Sequence, residues 1–305
     1  MSILITNKTN VIVQGITGKE GQKATKAMIE YGTNVIGGVR PGKAGEFVED
    51  RPVFDTVADV VTVVQVAHKN VDDIVSVIYV PPFAAKVAIM EAIEAGVKQI
   101  CPIVERVPIK DTAYCLAAAN EAGARVIGPS SLGYISPGIG RIGVVGGPIE
   151  QAHEIFTPGS IGIISRSGGM TNEVSWQVRK AGMGQSTAVH VGGDLLMGTT
   201  YGDLLKLFEK DEQTKAVVLF GEHGGSYEFD IIDLIQNGGW TKPLVVYIGG
   251  RFANMLPEGM NIGHAGAIVA KGQGAEEKES ALRDVGVIIA EDYEDLAELV
   301  KPFSC

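Results

Sequence analysis

The chain has 305 residues, 45% of them hydrophobic and 20% charged, which excludes a disordered polymer and leaves room for two domains with buried cores. Its net charge of −10, without a clustered Lys/Arg face, excludes the electrostatic footprint that nucleic-acid binding needs. No apolar run reaches the ~18 residues of a membrane span. The start, Met-Ser-Ile-Leu-Ile-Thr, lacks the basic and long apolar regions of a signal peptide. Cys101, Cys115 and Cys305 have neither zinc spacing nor a disulfide framework, so reduced thiols in a soluble, cytoplasmic protein are expected. Glycine is the outlier, at 40 of 305 residues, or about 13% against a usual ~7%.

In chain order, short β-branched runs predict strands at Val11–Gln14, Val35–Gly37, Val75–Val80, Gln99–Ile103 and Arg125–Ile127. Between them, helical spacing marks Lys23–Glu30 and Ala84–Ala95. The stretch Gly128–Gly159, rich in Gly and Pro and without a strong helical period, predicts a crossover between two domains, with a boundary near 130–155. A second set of strands follows at Ile161–Ile164, Ser186–His190, Ala216–Phe220, Leu244–Ile248, Ala267–Val269 and Val287–Ile289, with helices at Tyr201–Glu209 and Glu276–Asp284. Apolar strands alternating with helices predict α/β architecture with mainly parallel sheets covered on both faces.

The glycines concentrate where strands hand over to helices. In Val11-Ile-Val-Gln-Gly-Ile-Thr-Gly-Lys-Glu-Gly21, the G-x-x-G-x-x-G spacing of Gly15, Gly18 and Gly21 either opens a helix N-terminus to a phosphate or simply makes a tight turn. The next loop, Gly37-Gly-Val-Arg-Pro-Gly-Lys-Ala-Gly45, adds Arg40 and Lys43, cations suited to phosphates. Ile164-Ser-Arg-Ser-Gly-Gly-Met-Thr-Asn-Glu173 puts Ser165, Ser167, Gly168 and Gly169 at a second strand-to-helix turn, as an anion site or as ordinary Ser capping. Phe220-Gly-Glu-His-Gly-Gly-Ser226 carries Glu222 to a sheet's C-terminal edge, where it orients an imidazole or is merely solvated. Gly259-Met-Asn-Ile-Gly-His-Ala-Gly-Ala-Ile-Val269 surrounds His264 with little side-chain bulk, which leaves its ring accessible. Of the other histidines, His68 and His153 read as surface residues, while His190 and His223 read as neighbours of the site.

Taken in order, these motifs resemble the α subunit of the succinyl-CoA synthetase family over essentially the whole chain. The resemblance rests on Gly-Ile-Thr-Gly-Lys-Glu-Gly21, Pro41-Gly-Lys43, Tyr79-Val-Pro-Pro82, Ile127-Gly-Pro129, Ser165-Arg-Ser-Gly168, Gly192-Gly-Asp194, Gly221-Glu222 and Gly263-His-Ala-Gly266. It implies a Rossmann-like CoA-binding domain over residues 1–130 and a flavodoxin-like ligase domain over residues 131–305. It further implies that His264 is phosphorylated and passes its phosphoryl group to a carboxylate, and that CoA then displaces phosphate from the acyl phosphate. Glu222 matches the carboxylate that orients the histidine. Thr17, Gly18, Lys19, Glu20, Arg40, Lys43, Ile103, Val104 and Glu105 are the implied CoA-binding residues. Ser165, Ser167, Gly168, Gly169, Asn172 and Gly263 are the implied phosphate and substrate contacts. No resident metal is expected. ATP and Mg²⁺ belong mainly to a β subunit with an ATP-grasp domain, in an αβ or (αβ)₂ assembly, which accounts for the lack of a G-x-x-x-x-G-K-[ST] loop here.

Departures from the succinate-type pattern bear on the acid. Gly169-Met-Thr-Asn172 replaces Thr-Leu-Thr-Tyr and resembles ATP-citrate lyase, as do Ile142-Gly-Val-Val-Gly-Gly147 and the longer Phe252-Ala-Asn-Met-Leu-Pro-Glu-Gly-Met-Asn-Ile262. Ser130-Ser-Leu-Gly133 replaces Asn-Cys-Pro-Gly, and Arg106 stands where the family usually has Gly. Asn172 in place of Tyr frees volume while keeping a polar group. A stand-alone citryl-CoA synthetase small subunit is therefore expected, because no citrate-synthase-like extension follows residue 305. A succinyl-CoA synthetase α subunit is the alternative, with malate a third acid. A non-catalytic CoA-binding regulator would need neither the ligase domain nor His264. A dehydrogenase would need G-x-G-x-x-G and an acidic residue ending the second strand, where Gly37-Gly38 lies.

Overall fold

Strands such as Val-Ile-Val and Ile-Val-Ser-Val-Ile have no polar face to offer water, so they must be covered on both sides. The computed structural model describes residues 2–67, 70–252, 264 and 273–304, and builds these runs into two seven-stranded sheets. The first contains β1 (Asn10–Gln14), β2 (Val35–Val39), β3 (Phe47–Val48), β4 (Arg51–Phe54), β5 (Ile74–Ile78), β6 (Gln99–Pro102) and β7 (Arg125–Val126). Their order is β3-β4-β2-β1-β5-β6-β7, parallel throughout except for the β3–β4 hairpin. The crossovers are α1 (Lys19–Glu30), α2 (Val57–Val66), α3 (Ala85–Glu94) and α4 (Ile109–Glu121). A reciprocal capping box between Thr56 and Asp59 starts α2 and satisfies two otherwise open backbone donors. The sequence direction reverses at β1, so the crevice at the C-terminal ends of β1 and β5 is the expected ligand position.

The predicted crossover Gly128–Gly159 is instead structured, and this corrects the sequence reading. It holds β8 (Gly133–Ser136), β9 (Gly140–Gly143) and α5 (Ile149–Ile155). Its glycines shape a tight antiparallel hairpin rather than a linker. The hairpin pairs with β11 (Gln185–His190) and forms the edge of the second sheet. That sheet continues with β10 (Pro158–Ser165), β12 (Ala216–Glu222), β13 (Leu244–Gly249) and β14 (Ile288–Ile289), in the order β14-β13-β12-β10-β11-β8-β9. Around it lie α6 (Gly168–Lys180), α7 (Tyr201–Lys210), α8 (Phe229–Gln236), α9 (Ala275–Asp284) and α10 (Leu296–Val300). Its parallel part, β11-β10-β12-β13-β14, has the flavodoxin-like order, whose switch point falls between β10 and β12. The expected strand Ala267–Val269, His68 and Gly263 lie outside the described residues.

The hairpin also joins the two halves. Thr33 Oγ1 donates to the carbonyl of Arg141 (2.7 Å) and accepts from the Arg141 N–H (2.9 Å), and Gln99 Nε2 bonds both the Leu4 carbonyl (2.8 Å) and the Tyr134 hydroxyl. One apolar cluster runs from Val11 and Val75 of the first sheet through Tyr134 and Ile142 to Val217 and Leu219 of the second. These contacts tie the hairpin of the second sheet to the first half of the chain.

Candidate active site

At the switch point of the second sheet, β10 ends on Ser165 and the chain turns through Arg166 and Ser167 into α6. Ser165 is fully buried; its hydroxyl donates to the Ser167 carbonyl (2.8 Å) and accepts the Ser167 N–H (3.1 Å). It therefore shapes the turn and has no donor left for a ligand. Ser167 is the N-cap, with a long 3.5 Å contact from the Met170 N–H to its hydroxyl. Ser167, Gly168 and Gly169 line a cavity of about 510 Å³, so the positive end of a thirteen-residue helix faces open space. Asn172 lies elsewhere: its Oδ1 accepts the Gly146 N–H (3.0 Å), and it lines neither cavity beside His264. The Asn172 side chain thus ties down the Val144–Gly147 turn.

The neighbouring strand β12 ends on Glu222. One carboxylate oxygen hydrogen-bonds Nδ1 of His264, and the other lies 3.9 Å from Nε of the fully buried Arg166. Because Glu222 accepts, the proton sits on Nδ1 and the His264 Nε2 lone pair is free. The same bond is the largest influence on the ring, raising its pKa above 6.5 against partial desolvation. The imidazole lies over Gly193. A methyl group on that α-carbon would stand 2.7 Å from Cδ2 and 3.1 Å from Nε2, so the ring position requires glycine.

The residues that hold Glu222 carry no sequence signal, because they come together only in the fold. Lys278 of α9 reaches through the core and donates to the carbonyls of Glu222 (2.7 Å) and Gly224 (2.7 Å) and to Glu228 (2.6 Å). Lys278 and Glu228 have no exposed surface. Burial lowers the Lys278 pKa, and Glu228 opposes the loss of charge. Glu228 also accepts the Glu222 N–H (3.3 Å), so the Glu222 peptide is held at both its N–H and its carbonyl. Arg166 donates to the Asp194 carbonyl (3.0 Å) and lies over the Tyr227 ring at 5.7 Å. His190 is fixed too. Its Nδ1 accepts the Leu132 N–H (2.7 Å), so Nε2–H donates to the Arg166 carbonyl (2.9 Å), and burial lowers its pKa to about 4.

Two cavities meet at His264 and Ser167. The larger also borders Glu105, Arg106, Ser130 and Asp194, bringing the first domain's β6 loop to the imidazole. Arg106 has φ +59°, the left-handed region where glycine is favoured, so the backbone shape persists at some steric cost. The smaller, about 260 Å³, lies against Met170, Phe220, Glu222, His223 and Phe252. Among the described residues no group of three or more His, Cys, Asp and Glu side chains is placed to hold a metal.

The implied CoA residues divide between two places. Gly18 caps α1 without a side-chain bond, leaving the first-turn N–H groups of α1 without a side-chain acceptor there; Lys19 and Glu20 are exposed and Thr17 half-buried. Beside them a cavity of about 300 Å³ is lined by Gln14, Gly15, Arg40, Pro41, Val80 and Val87, at the crevice between β1 and β5. Its apolar walls and Arg40 at the rim suit a ring with an attached phosphate. Lys43 is exposed but paired with Glu46 (2.6 Å), and three N–H groups of its loop, from Gly42, Lys43 and Ala44, converge on Asp55 Oδ1. Ile103 is half-buried, Val104 is buried, and Glu105 alone of that trio reaches the His264 cavity.

Residues 6–105 match the CoA binding domain family, and residues 158–303 match the Succinyl-CoA ligase like flavodoxin domain. The α subunit 2 of an ADP-forming succinate–CoA ligase from Archaeoglobus fulgidus is 43% identical over 302 residues, covering 98% of this chain and 99% of the relative. The chain belongs to the succinyl-CoA ligase α-subunit family. Within that family, the α subunit of a malate–CoA ligase from Methylorubrum extorquens is 41% identical over 298 residues, covering 96% and 95% of the two chains. The solved structure of ATP citrate lyase from Methanothrix soehngenii, in complex with citrate and coenzyme A, superimposes with a TM-score of 0.87 at 26% identity. It aligns with 99% of this chain, which spans 50% of that enzyme's length. No described helix is long and apolar enough to cross a membrane.

Proposed function

We propose that the chain is the phosphoryl-carrying subunit of an ADP-forming acid–CoA ligase, with His264 as the carrier. The observation that carries this reading is the Glu222–His264 hydrogen bond, which fixes the tautomer and leaves Nε2 free beside the N-terminus of α6. In the first step Nε2 bonds to the terminal phosphorus of ATP as the P–O bond to ADP breaks, and Glu222 stabilises the cationic ring. A carboxylate oxygen of the acid then takes the phosphorus, the P–N bond breaks and the ring is regenerated. CoA supplies the thiol that accepts the acyl group, with release of phosphate. Phosphohistidine brings extra negative charge against the Ser167, Gly168 and Gly169 end of α6, an interaction worth about 0.3–2 kcal/mol. In this reading ATP and Mg²⁺ are held by a β subunit with an ATP-grasp domain, as expected for a partner of α-type chains.

For the acid we propose citrate. The Gly169-Met-Thr-Asn172 and 252–262 segments resemble the citrate enzyme, and the closely superimposable ATP citrate lyase was solved with citrate and coenzyme A. The higher identity to a succinate–CoA ligase, 43%, favours succinate as a second reading. Thioester formation by the reconstituted pair, compared for citrate, succinate and malate, tests the choice. Activity confined to succinate would refute citrate.

A further inference from the structure

His223 follows Glu222 directly, yet it takes no part in the steps above. It is only 5% exposed, and among the described residues its Nε2 has no hydrogen-bond partner. A buried, unpaired ring nitrogen is costly unless a ligand or a water satisfies it. The ring lines the 260 Å³ cavity that also contains His264 and Ser167, and Phe252 meets it edge-on at 6.5 Å. Its position is imposed by the backbone. Gly250 has φ +96°, and a methyl group there would fall 1.7 Å from the His223 Nδ1, so only glycine lets the ring sit against β13.

We infer that His223 and this cavity form the subsite for a hydroxyl group of the acid, making the enzyme selective for hydroxy acids over their deoxy counterparts. The inference rests on the ligase reading above. Three observations give the chemistry. First, the His223 Nδ1 faces an acceptor, the Gly249 carbonyl at 3.4 Å, so the ring proton belongs on Nδ1 and Nε2 presents a lone pair. A lone pair takes a donor; carboxylates only accept, whereas a hydroxyl donates. Second, the Glu222 carboxylate lines the same cavity and disfavours a second carboxylate there. Third, the cavity is small, about 260 Å³, which suits part of a small acid. Met170, Phe220 and Phe252 give the cavity apolar walls.

The test uses the assembled α–β enzyme and two matched pairs, malate against succinate and citrate against tricarballylate. The wild-type protein is expected to prefer the hydroxylated member of the productive pair in kcat/KM. His223→Leu should reduce that ratio about tenfold, the worth of one well-formed buried hydrogen bond, while His223→Gln, which keeps an acceptor, should retain most of it. A wild-type enzyme without hydroxyl preference, or a ratio unchanged in His223→Leu, overturns the inference. Labelling of His264 by ATP is measured on the same wild-type preparation. No label removes the ligase reading and this inference together; a labelled His264 with an unchanged ratio removes the inference alone.

Discussion

Gly193 and His264 are in direct van der Waals register, with the space for a Cβ at Gly193 already taken by the Cδ2, Cγ and Nε2 edge of the imidazole. A methyl group must therefore push the ring away from Glu222. We expect Gly193→Ala to lower the rate of His264 phosphorylation at least about tenfold, since misplacement of a reacting group by ~1 Å costs up to ~100-fold. Thermal unfolding should change little, because the His264 side chain is 40% exposed. Quantified phosphohistidine in the variant checks this.

The Glu222 bond favours the protonated form of His264 and raises its pKa, whereas nucleophilic attack needs the neutral ring. The phosphorylation rate should therefore rise with pH and level off only above a midpoint higher than 6.5. Glu222→Gln should move that midpoint downward and lower the plateau by at least about tenfold. A pH–rate profile of the single phosphorylation step, in wild type and variant, separates the two effects.

Lys278 and Glu228 are a wholly buried ion pair, so removing one partner strands the other. Lys278→Met should destabilise the protein by about 3–5 kcal/mol, whereas Lys278→Met with Glu228→Gln should recover much of the loss. Denaturant unfolding of the single and double variants measures the difference. The double variant should remain impaired in phosphorylation, because the ammonium that donates to the Glu222 and Gly224 carbonyls is gone.

His190 is neutral in the fold, its pKa lowered by burial to about 4 from an ordinary 6.5. Below 6.5 the unfolded chain takes up a proton that the folded chain does not, so the His190 contribution is complete above pH 6.5 and drains away as pH falls toward 4. We expect Tm to fall between pH 6.5 and 5, above the range where most carboxylates titrate, and to fall less steeply in His190→Gln. Calorimetry at stepped pH reads this directly.

The parallel strands were legible because residues such as Val11–Val13 and Val217–Leu219 show unbroken apolar runs, and the functional turns because glycine marks the strand ends. The hairpin Gly133–Gly143 was not, since its glycines serve close backbone packing and mimic a linker in composition. The family resemblance paired Glu222 with His264, and the fold brings the two side chains into hydrogen-bond contact. Their support was hidden. Lys278 sits in a helix whose sequence, Ala-Glu-Glu-Lys-Glu-Ser, reads as solvated, and only the 50-residue separation closed by folding reveals its contact with Glu228. Asn172, read from sequence as a substrate contact, accepts the Gly146 N–H in the fold, a bond with no signal in the sequence.

The central claim is that His264 carries the phosphoryl group, and direct labelling tests it. The chain, assembled with its ATP-binding partner subunit, is incubated with γ-labelled ATP and the modified residue is located by peptide mapping. The account predicts an acid-labile, base-stable label on His264 that is discharged by acid substrate with CoA and is absent from His264→Ala. A label that persists in His264→Ala, or no label in the wild-type complex, would contradict it.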